Sequence, residues 1–213
     1  MPSAARPTFE RETAAGALDG RLVVGVDEVG RGPWAGPVVA CAVALRPHDL
    51  PHGLLERLRD SKALSHVVRV ELAAALRAHA TVGLGEASVA EIDTWNVLGA
   101  SHLAMARAVE ALTRVPDLAL VDGNRAPALA CPCETVVGGD GSVLSIAAAS
   151  IVAKVARDLQ MEELARAHPG YGWERNRGYG TAEHQRGLAE RGVTEHHRRS
   201  FKPVQVVLRS RGN

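Results

Sequence analysis

Leu22-Val23-Val24-Gly25-Val26-Asp27-Glu28-Val29-Gly30-Arg31-Gly32 is the stretch that decides the fold. Its first part is short, apolar and rich in β-branched residues, the composition of a buried strand. It runs into two carboxylates and then into a turn, Gly30 to Gly36. The apolar run Pro37 to Leu45 follows closely enough for the two strands to pair antiparallel. An acid that closes an apolar strand is desolvated unless something compensates it.

Working outward, Thr8 to Ala17 can form a short helix, and the first eight residues and the last few are expected to fray. Ser65 is a natural N-cap for a helix to about His79. Thr81 to Ser88 reads as a third strand, and Asn96 to about Arg114 as a long helix. Asp117 to Asp122 is a fourth strand, stopped by Gly123-Asn124. Glu134 to Val137 is a short fifth strand, broken by Gly138-Gly139-Asp140-Gly141. A helix from Ser142 to Ala167 follows, then a Gly-rich loop from Gly170 to Gly180, then a helix capped by Thr181 and reaching Arg191. Three strands followed by alternating strand and helix predict an α/β protein with a mixed sheet, not a doubly wound one. The chain divides into an N-terminal extension over 1–19 (partly disordered or a short helix), a core over 20–167, and a helical part over 168–213 that is not an independent domain.

Four acids fall at the boundaries of these elements: Asp27 and Glu28 after strand one, Asp122 after strand four, Asp140 after strand five. Asp122-Gly123 and Asp140-Gly141 each also read as ordinary turns. Together the four suggest convergence on a hard divalent cation, for which oxygen donors are the right residue types. Adjacent strand residues point to opposite faces. Asp27 and Glu28 therefore cannot both aim side chains at one ion from a regular strand. Either the strand ends or bulges there, or Glu28 contributes by its backbone carbonyl or by holding a water. Asp27 is the expected central ligand.

Bulk properties exclude several classes. The chain has 213 residues, 46% hydrophobic, and only 3% aromatic, so its core must be aliphatic. No apolar run approaches the roughly 20 residues of a membrane helix, and the start of the chain lacks a secretory apolar segment, so a cytoplasmic location is expected. Cys41, Cys131 and Cys133 lack zinc or disulfide spacing and read as small buried or loop residues. The net charge is +1, unevenly spread. Residues 151–213 carry 12 Lys/Arg against 7 Asp/Glu, and residues 1–150 carry 13 against 17. An acidic first part and a basic second part fit a metal-binding site accompanied by a phosphate-binding surface. The nine histidines are scattered, and His184 and the His196-His197 pair read as surface or capping groups. No Gly-x-Ser-x-Gly elbow or Walker loop is present.

Gly25 to Val39 resembles the signature of bacterial ribonuclease HII. The resemblance continues in Asp60-Ser61-Lys62-Ala63-Leu64-Ser65, Val121-Asp122-Gly123-Asn124, Gly139-Asp140, Ser145 to Asp158, Asn176 to His184 and His197 to Pro203. These blocks keep the family's order over nearly the whole chain. Small departures are Trp34, where the family more often has Leu, and Ala63 in place of a second Lys. The resemblance implies a ribonuclease H-like fold, a mixed five-stranded sheet flanked by helices with a helical C-terminal part. It implies hydrolysis of the RNA strand of RNA–DNA hybrids, and cutting at single ribonucleotides embedded in duplex DNA. Products would carry 3′-hydroxyl and 5′-phosphate ends, and ribonucleotide excision repair is the setting it implies. Two divalent ions, Mn²⁺ or Mg²⁺, would be held by Asp27, Glu28, Asp122 and Asp140. Gly30, Arg31, Gly32 and Tyr179 would read the ribonucleotide, whose 2′-hydroxyl is what separates RNA from DNA. Lys62, Ser150 and Lys154 are candidate phosphate contacts, as are Arg175, Arg177, Arg198, Arg199 and Lys202 for the DNA strand. The partner is nucleic acid, no membrane is involved, and a monomer is expected. The rival readings are a metal-free carboxylate-pair glycosidase, a nuclease of the same fold acting on DNA alone, and a non-catalytic hybrid-binding module.

Overall fold

The computed structural model describes Arg6 to Gly212. The chain folds into two compact units. The first comprises residues up to Val29, Val39–Glu86 and His102–Val155; the second comprises Gly30–Val38, Ala87–Ser101 and Ala156 onward.

The first unit is built on a five-stranded sheet of order β3-β2-β1-β4-β5. Its strands are β1 (Val23–Val29), β2 (Val38–Ala44), β3 (Thr81–Ala87), β4 (Leu118–Asp122) and β5 (Cys133–Val136). β1 pairs antiparallel with β2 and parallel with β4, and β4 pairs parallel with β5, so the sheet is mixed. All strands fall within a residue or two of the positions that periodicity assigns them. Helices α1 (Glu10–Ala14), α2 (Leu54–Arg57), α3 (His66–His79), α4 (Val89–Glu110) and α5 (Leu144–Ala167), with short 3-10 turns at Ala17–Asp19, Pro47–Asp49, Ser61–Ala63 and Gly139–Gly141, make up the other elements described before residue 168. α5 supplies Leu144–Val155 to the first unit and the rest to the second.

Strand alternation explains how the sheet is covered. Cys41 and Val43 on β2, with Val82 and Leu84 on β3, pack against Leu72 and Leu76 of α3 and Ala148, Ile151 and Val152 of α5. Each such leucine or isoleucine, fully buried, contributes roughly 1.5–3 kcal/mol. Gly83 and Gly85 face the other way, where a Cβ would meet the backbone of Ala108 and Ala104 on α4 at 2.1 and 2.2 Å. On β1 a Cβ at Gly25 would lie 2.2 Å from the α5 backbone at Ser145 and Ile146. Glycine there lets α5 lie directly against β1.

Several expected boundaries are corrected. Asn96 does not open α4; the helix begins at Val89 and is interrupted at Asn96, whose φ is +58°. Its Oδ1 accepts from the N–H groups of Leu98 (2.9 Å) and Gly99 (3.3 Å), so Asn96 caps the second half of a broken helix. Of the first eight residues expected to fray, 1–5 lie outside the described residues, and Thr8 is fastened. Its N–H donates to Ser142 O at 3.0 Å and its carbonyl accepts from Leu144 N–H at 3.1 Å. Ser65 and Thr181 do cap their helices, accepting from Val68 and His184 N–H.

The second unit holds α6 (Trp173–Asn176), one turn inside the expected Gly-rich loop, α7 (Ala182–Arg191) and α8 (Lys202–Ser210). Its core is Ala35, Met161, Ala165, Tyr171 and Trp173. Among the described residues, no helix is long and apolar enough to cross a membrane.

Candidate active site

Register alone brings two of the four acids together. Val26 pairs with Val121 in the parallel β1–β4 ladder, so the next residues in line are Asp27 and Asp122. Asp27 shares its face with Gly25, the face α5 covers, and is 6% exposed. One turn beyond Ile146 on α5 comes Ser150, whose hydroxyl hydrogen-bonds to Asp27. Ser150 Oγ also lies 3.0 Å from Ser61 Oγ, and both serines are buried. The resemblance makes Ser150 a candidate phosphate contact; in the structure it is 7% exposed and hydrogen-bonded to Asp27.

β1 neither ends nor bulges at Asp27. The antiparallel register runs on through Asp27↔Cys41, Glu28↔Ala40 and Val29↔Val39. Of the alternatives left open by strand geometry, a regular strand therefore stands. The side chains of Asp27 and Glu28 leave opposite faces, and Glu28 N–H donates to Asp27 Oδ1 at 2.8 Å.

Asp140 sits in a single 3-10 turn, Gly139–Gly141, just after β5. Gly139 N–H donates to Asp122 Oδ1 at 2.7 Å, which ties that turn to the end of β4. A Cβ at Gly139 would sit 2.5 Å from Ile146 Cδ1. Lys62 follows Asp60, which caps its own turn by accepting from Lys62 N–H, and Lys62 Nζ lies 3.4 Å from Asp140 Oδ2. Lys154 lies one helical turn after Ser150 on α5 and is half-buried.

The electrostatics follow from burial. Desolvation pushes the Asp27 carboxyl well above the usual carboxylate range, and the charges of Glu28 and Asp122 push further. The hydrogen bonds from Ser150 and Glu28 N–H only partly oppose this. Asp122 is raised by the same two causes, burial and then the Asp140 charge, against the pull of Gly139 N–H. Burial works against the Lys62 ammonium, but Asp140, Asp60 and Asp27 outweigh it and hold its pKa above the ordinary value. The cluster is thus a set of oxygen donors with too little positive charge of its own. Its donor chemistry fits a hard divalent cation, and no His or Cys ligand competes among these elements. Cys41, paired across from Asp27, has its thiol pushed up by burial and is protonated at neutral pH.

The remaining expected residues lie in the second unit. Gly30 has φ +96°, and a Cβ there would lie 2.2 Å from Arg157 Nε, so only glycine fits. Gly32 and Tyr179 are neighbours: a Cβ at Gly32 would sit 3.3 Å from Tyr179 Cε1. Arg31 is exposed, and Tyr179 is 48% exposed.

Sequence reasoning missed what holds this loop. Arg198 is fully buried; it is not a surface cation awaiting DNA. Its Nη1 donates to Arg31 O at 2.9 Å and its Nη2 to Gly30 O at 2.5 Å; Nε reaches Gly36 O at 3.0 Å. Arg157 donates to Pro37 O at 2.9 Å and Ala35 O at 3.1 Å. Burial depresses both guanidinium pKa values, to about 9 and about 10, and both stay charged at neutral pH. Only side chains with this many donors could satisfy so many inward-facing carbonyls. Of the other basic candidates, Arg177 pairs with Glu162 at 2.7 Å and Arg175 with Glu174 and Glu183. Arg199 and Lys202 are exposed.

His184 and His197 are corrections too: both are fully buried. Trp173 Nε1 can only donate, so His184 Nε2 accepts from it at 3.1 Å and His184 Nδ1 carries the proton, donating to Tyr179 O at 3.0 Å. Thr194 N–H donates to His197 Nδ1 at 3.0 Å, which leaves His197 Nε2 as a donor that shares the one His184 Nε2 lone pair with Trp173, at 3.1 Å. Burial, then His184 and the other nearby histidines, push His197 down to about 3, so both rings are neutral. The network fixes the backbone at Tyr179. Trp34 packs against Gly180, with its ring 5.5 Å from His184.

Strand-end acids gathered over a buried serine on a mixed sheet define a class, the metal-dependent nucleases of ribonuclease H-like fold. The fold is that of the ribonuclease H2 from Pyrococcus horikoshii OT3, with TM-score 0.76 at 24% identity over 90% of this chain and 99% of that one. It is also that of Bst-RNase HIII, solved in complex with Mn²⁺, with TM-score 0.68 at 22% identity over 92% and 73%. The ribonuclease HII from Paramagnetospirillum magneticum is 64% identical over 189 residues, 89% of this chain and 94% of its own length. The family profile for ribonuclease HII matches residues 24–204. The chain belongs to the ribonuclease HII family, and with it to the metal-dependent endoribonucleases.

Proposed function

We propose that this endonuclease hydrolyses the RNA strand of RNA–DNA hybrids and also cuts at single ribonucleotides embedded in duplex DNA. Products carry 3′-hydroxyl and 5′-phosphate ends. The observation that carries the reading is the pairing of Asp27 and Asp122 on adjacent strands, both raised in pKa by burial and by like charge. Such a cluster is incomplete without cations. Asp27, Asp122 and Asp140 would hold two divalent ions, Mg²⁺ or Mn²⁺, with Glu28 contributing through its backbone carbonyl or a held water, since the unbroken β1 register turns its side chain to the other face. Bound there, the ions supply Lewis-acid stabilisation of charge on the attacking and leaving oxygens.

The chain's own groups prepare that arrangement. Glu28 N–H fixes one oxygen of Asp27, Gly139 N–H fixes one oxygen of Asp122, and Ser150 braces Asp27 from below. Lys62 and Lys154 supply positive charge toward phosphate. Gly30-Arg31-Gly32 and Tyr179 recognise the ribose. Arg198 donates to the carbonyls of Gly30 and Arg31 and so fixes the orientation of the peptide groups that this turn presents beside Tyr179.

The test is cleavage of a duplex holding one ribonucleotide, with Mg²⁺, with Mn²⁺ and with EDTA. The expected outcome is a cut beside the ribonucleotide with either ion and none with chelator. Activity that survives EDTA, or confinement to long hybrids, would overturn the reading. Tyr179→Ala should slow the single-ribonucleotide substrate at least as much as a long hybrid; an unchanged rate on the former rejects its role.

A further inference from the structure

The second unit gathers four histidines, and they divide by what their ring nitrogens do. His184 and His197 have every ring nitrogen engaged by the protein. His168 and His196 lie outside them, half-buried. Among the described residues neither ring makes a hydrogen bond; their neighbours are each other and Trp173. The two rings stand edge to face with centroids 4.8 Å apart. Glu195 lies beside His196, its Oε1 3.9 Å from His196 Nε2. One ligand atom from each of His168, Glu195 and His196 falls within 4.8 Å of the others.

We propose that His168, His196 and Glu195 form a second metal site, chemically distinct from the acid cluster, for a borderline transition-metal ion of the Zn²⁺ class. Imidazole nitrogens with one carboxylate select Zn²⁺, Co²⁺ or Ni²⁺ over Mg²⁺, whereas all-oxygen donors select the reverse. Neutral imidazole is the ligating form. The ring nitrogens of His168 and His196, not hydrogen-bonded to other protein groups among the described residues, are available as donors to an ion.

The backbones that carry the ligands are fixed. His168 N–H donates to Leu164 O at 2.8 Å, just past the end of α5. His196 O accepts from Gly36 N–H at 2.9 Å, and its N–H donates to Thr194 Oγ1 at 3.3 Å. Bonds of about 2.0–2.1 Å draw tetrahedral ligand atoms to roughly 3.3 Å apart. The remaining movement falls to Glu195, whose side chain is 82% exposed and free to rotate inward. Occupancy ties the end of α5 to the connection between α7 and α8.

The test titrates the full-length protein with Co²⁺ in excess Mg²⁺ and reads the visible spectrum and Tm. The expected result is one equivalent of Co²⁺ with the intense visible bands of a tetrahedral site, unmoved by Mg²⁺, displaced by Zn²⁺, and accompanied by a rise in Tm. His168→Ala and His196→Ala should abolish the bands, and Glu195→Gln should weaken binding by about ten-fold or more. Asp27→Asn should keep them. Because Glu195 is exposed, its variant tests the site even if a histidine variant fails to fold. Bands that Mg²⁺ removes, or equal Co²⁺ binding by wild type and Glu195→Gln, would overturn the proposal.

Discussion

The two units bury charge of opposite sign and settle it in opposite ways. In the first, Asp27 and Asp122 are desolvated side by side, and the hydrogen bonds from Ser150, Glu28 N–H and Gly139 N–H offset this only in part, so both carboxyls are raised. In the second, Arg157 and Arg198 are desolvated as deeply, yet their donors point at backbone carbonyls of residues 30–37 and at Arg177 O. Buried charge is tolerated only when paired or hydrogen-bonded. Charge satisfied within the fold is structural, whereas charge left over calls for something from outside.

The largest effect should come from Asp27→Asn. Metal-dependent cleavage should fall to background, while Tm in EDTA should hold or rise, because the change removes a buried charge that is compensated only in part. Retained cleavage, or a large loss of Tm, would break the contrast. Next is Arg198→Ala, expected to cost about 3–5 kcal/mol in chemical denaturation, the range for stranding buried polar partners. Arg198→Lys should not restore it, since an ammonium cannot reach carbonyls on both sides of the loop. Arg199→Ala, an exposed neighbour, should change stability by no more than about 0.5 kcal/mol.

The smallest effect sharpens the comparison. Glu12 is 1% exposed and accepts from Ser145 N–H at 2.7 Å in the first turn of α5. Burial nevertheless raises its pKa despite that bond. A raised carboxyl pKa means the folded chain holds the proton more tightly than the unfolded one. Stability from this group is therefore greatest below the ordinary glutamate value and falls as pH rises through the folded value. Glu12→Gln should flatten that decline in denaturation at pH 4 to 8; an unchanged slope would show that Ser145 compensates it fully.

Much of the first unit was legible in the sequence. A strand repeats every two residues, so apolar runs ending in Asp27, Asp122 and the turn before Asp140 could be placed without knowing their neighbours. The same period raised the question about Glu28, and the unbroken register of β1 answered which alternative holds. The break at Asn96 was harder to see, because a single residue at positive φ leaves helical composition intact on both sides. Arg198 and Arg199 are adjacent and chemically identical, yet one is buried on four carbonyls and the other is exposed. Nothing local distinguishes them.

The sequence by itself determined the strands, the caps at Ser65 and Thr181, and the placing of four acids at or just after strand ends, because these depend on short-range periodicity and side-chain chemistry. Tertiary structure alone decided that Asp27 stands beside Asp122, that Ser150 lies beneath it, and that His184, His197 and Arg198 are interior. Those outcomes depend on strand register, on the close approach of α5 at Gly25, and on a second unit assembled from three separated stretches. Burial and hydrogen-bond partners are properties of that assembly, and no local pattern encodes them.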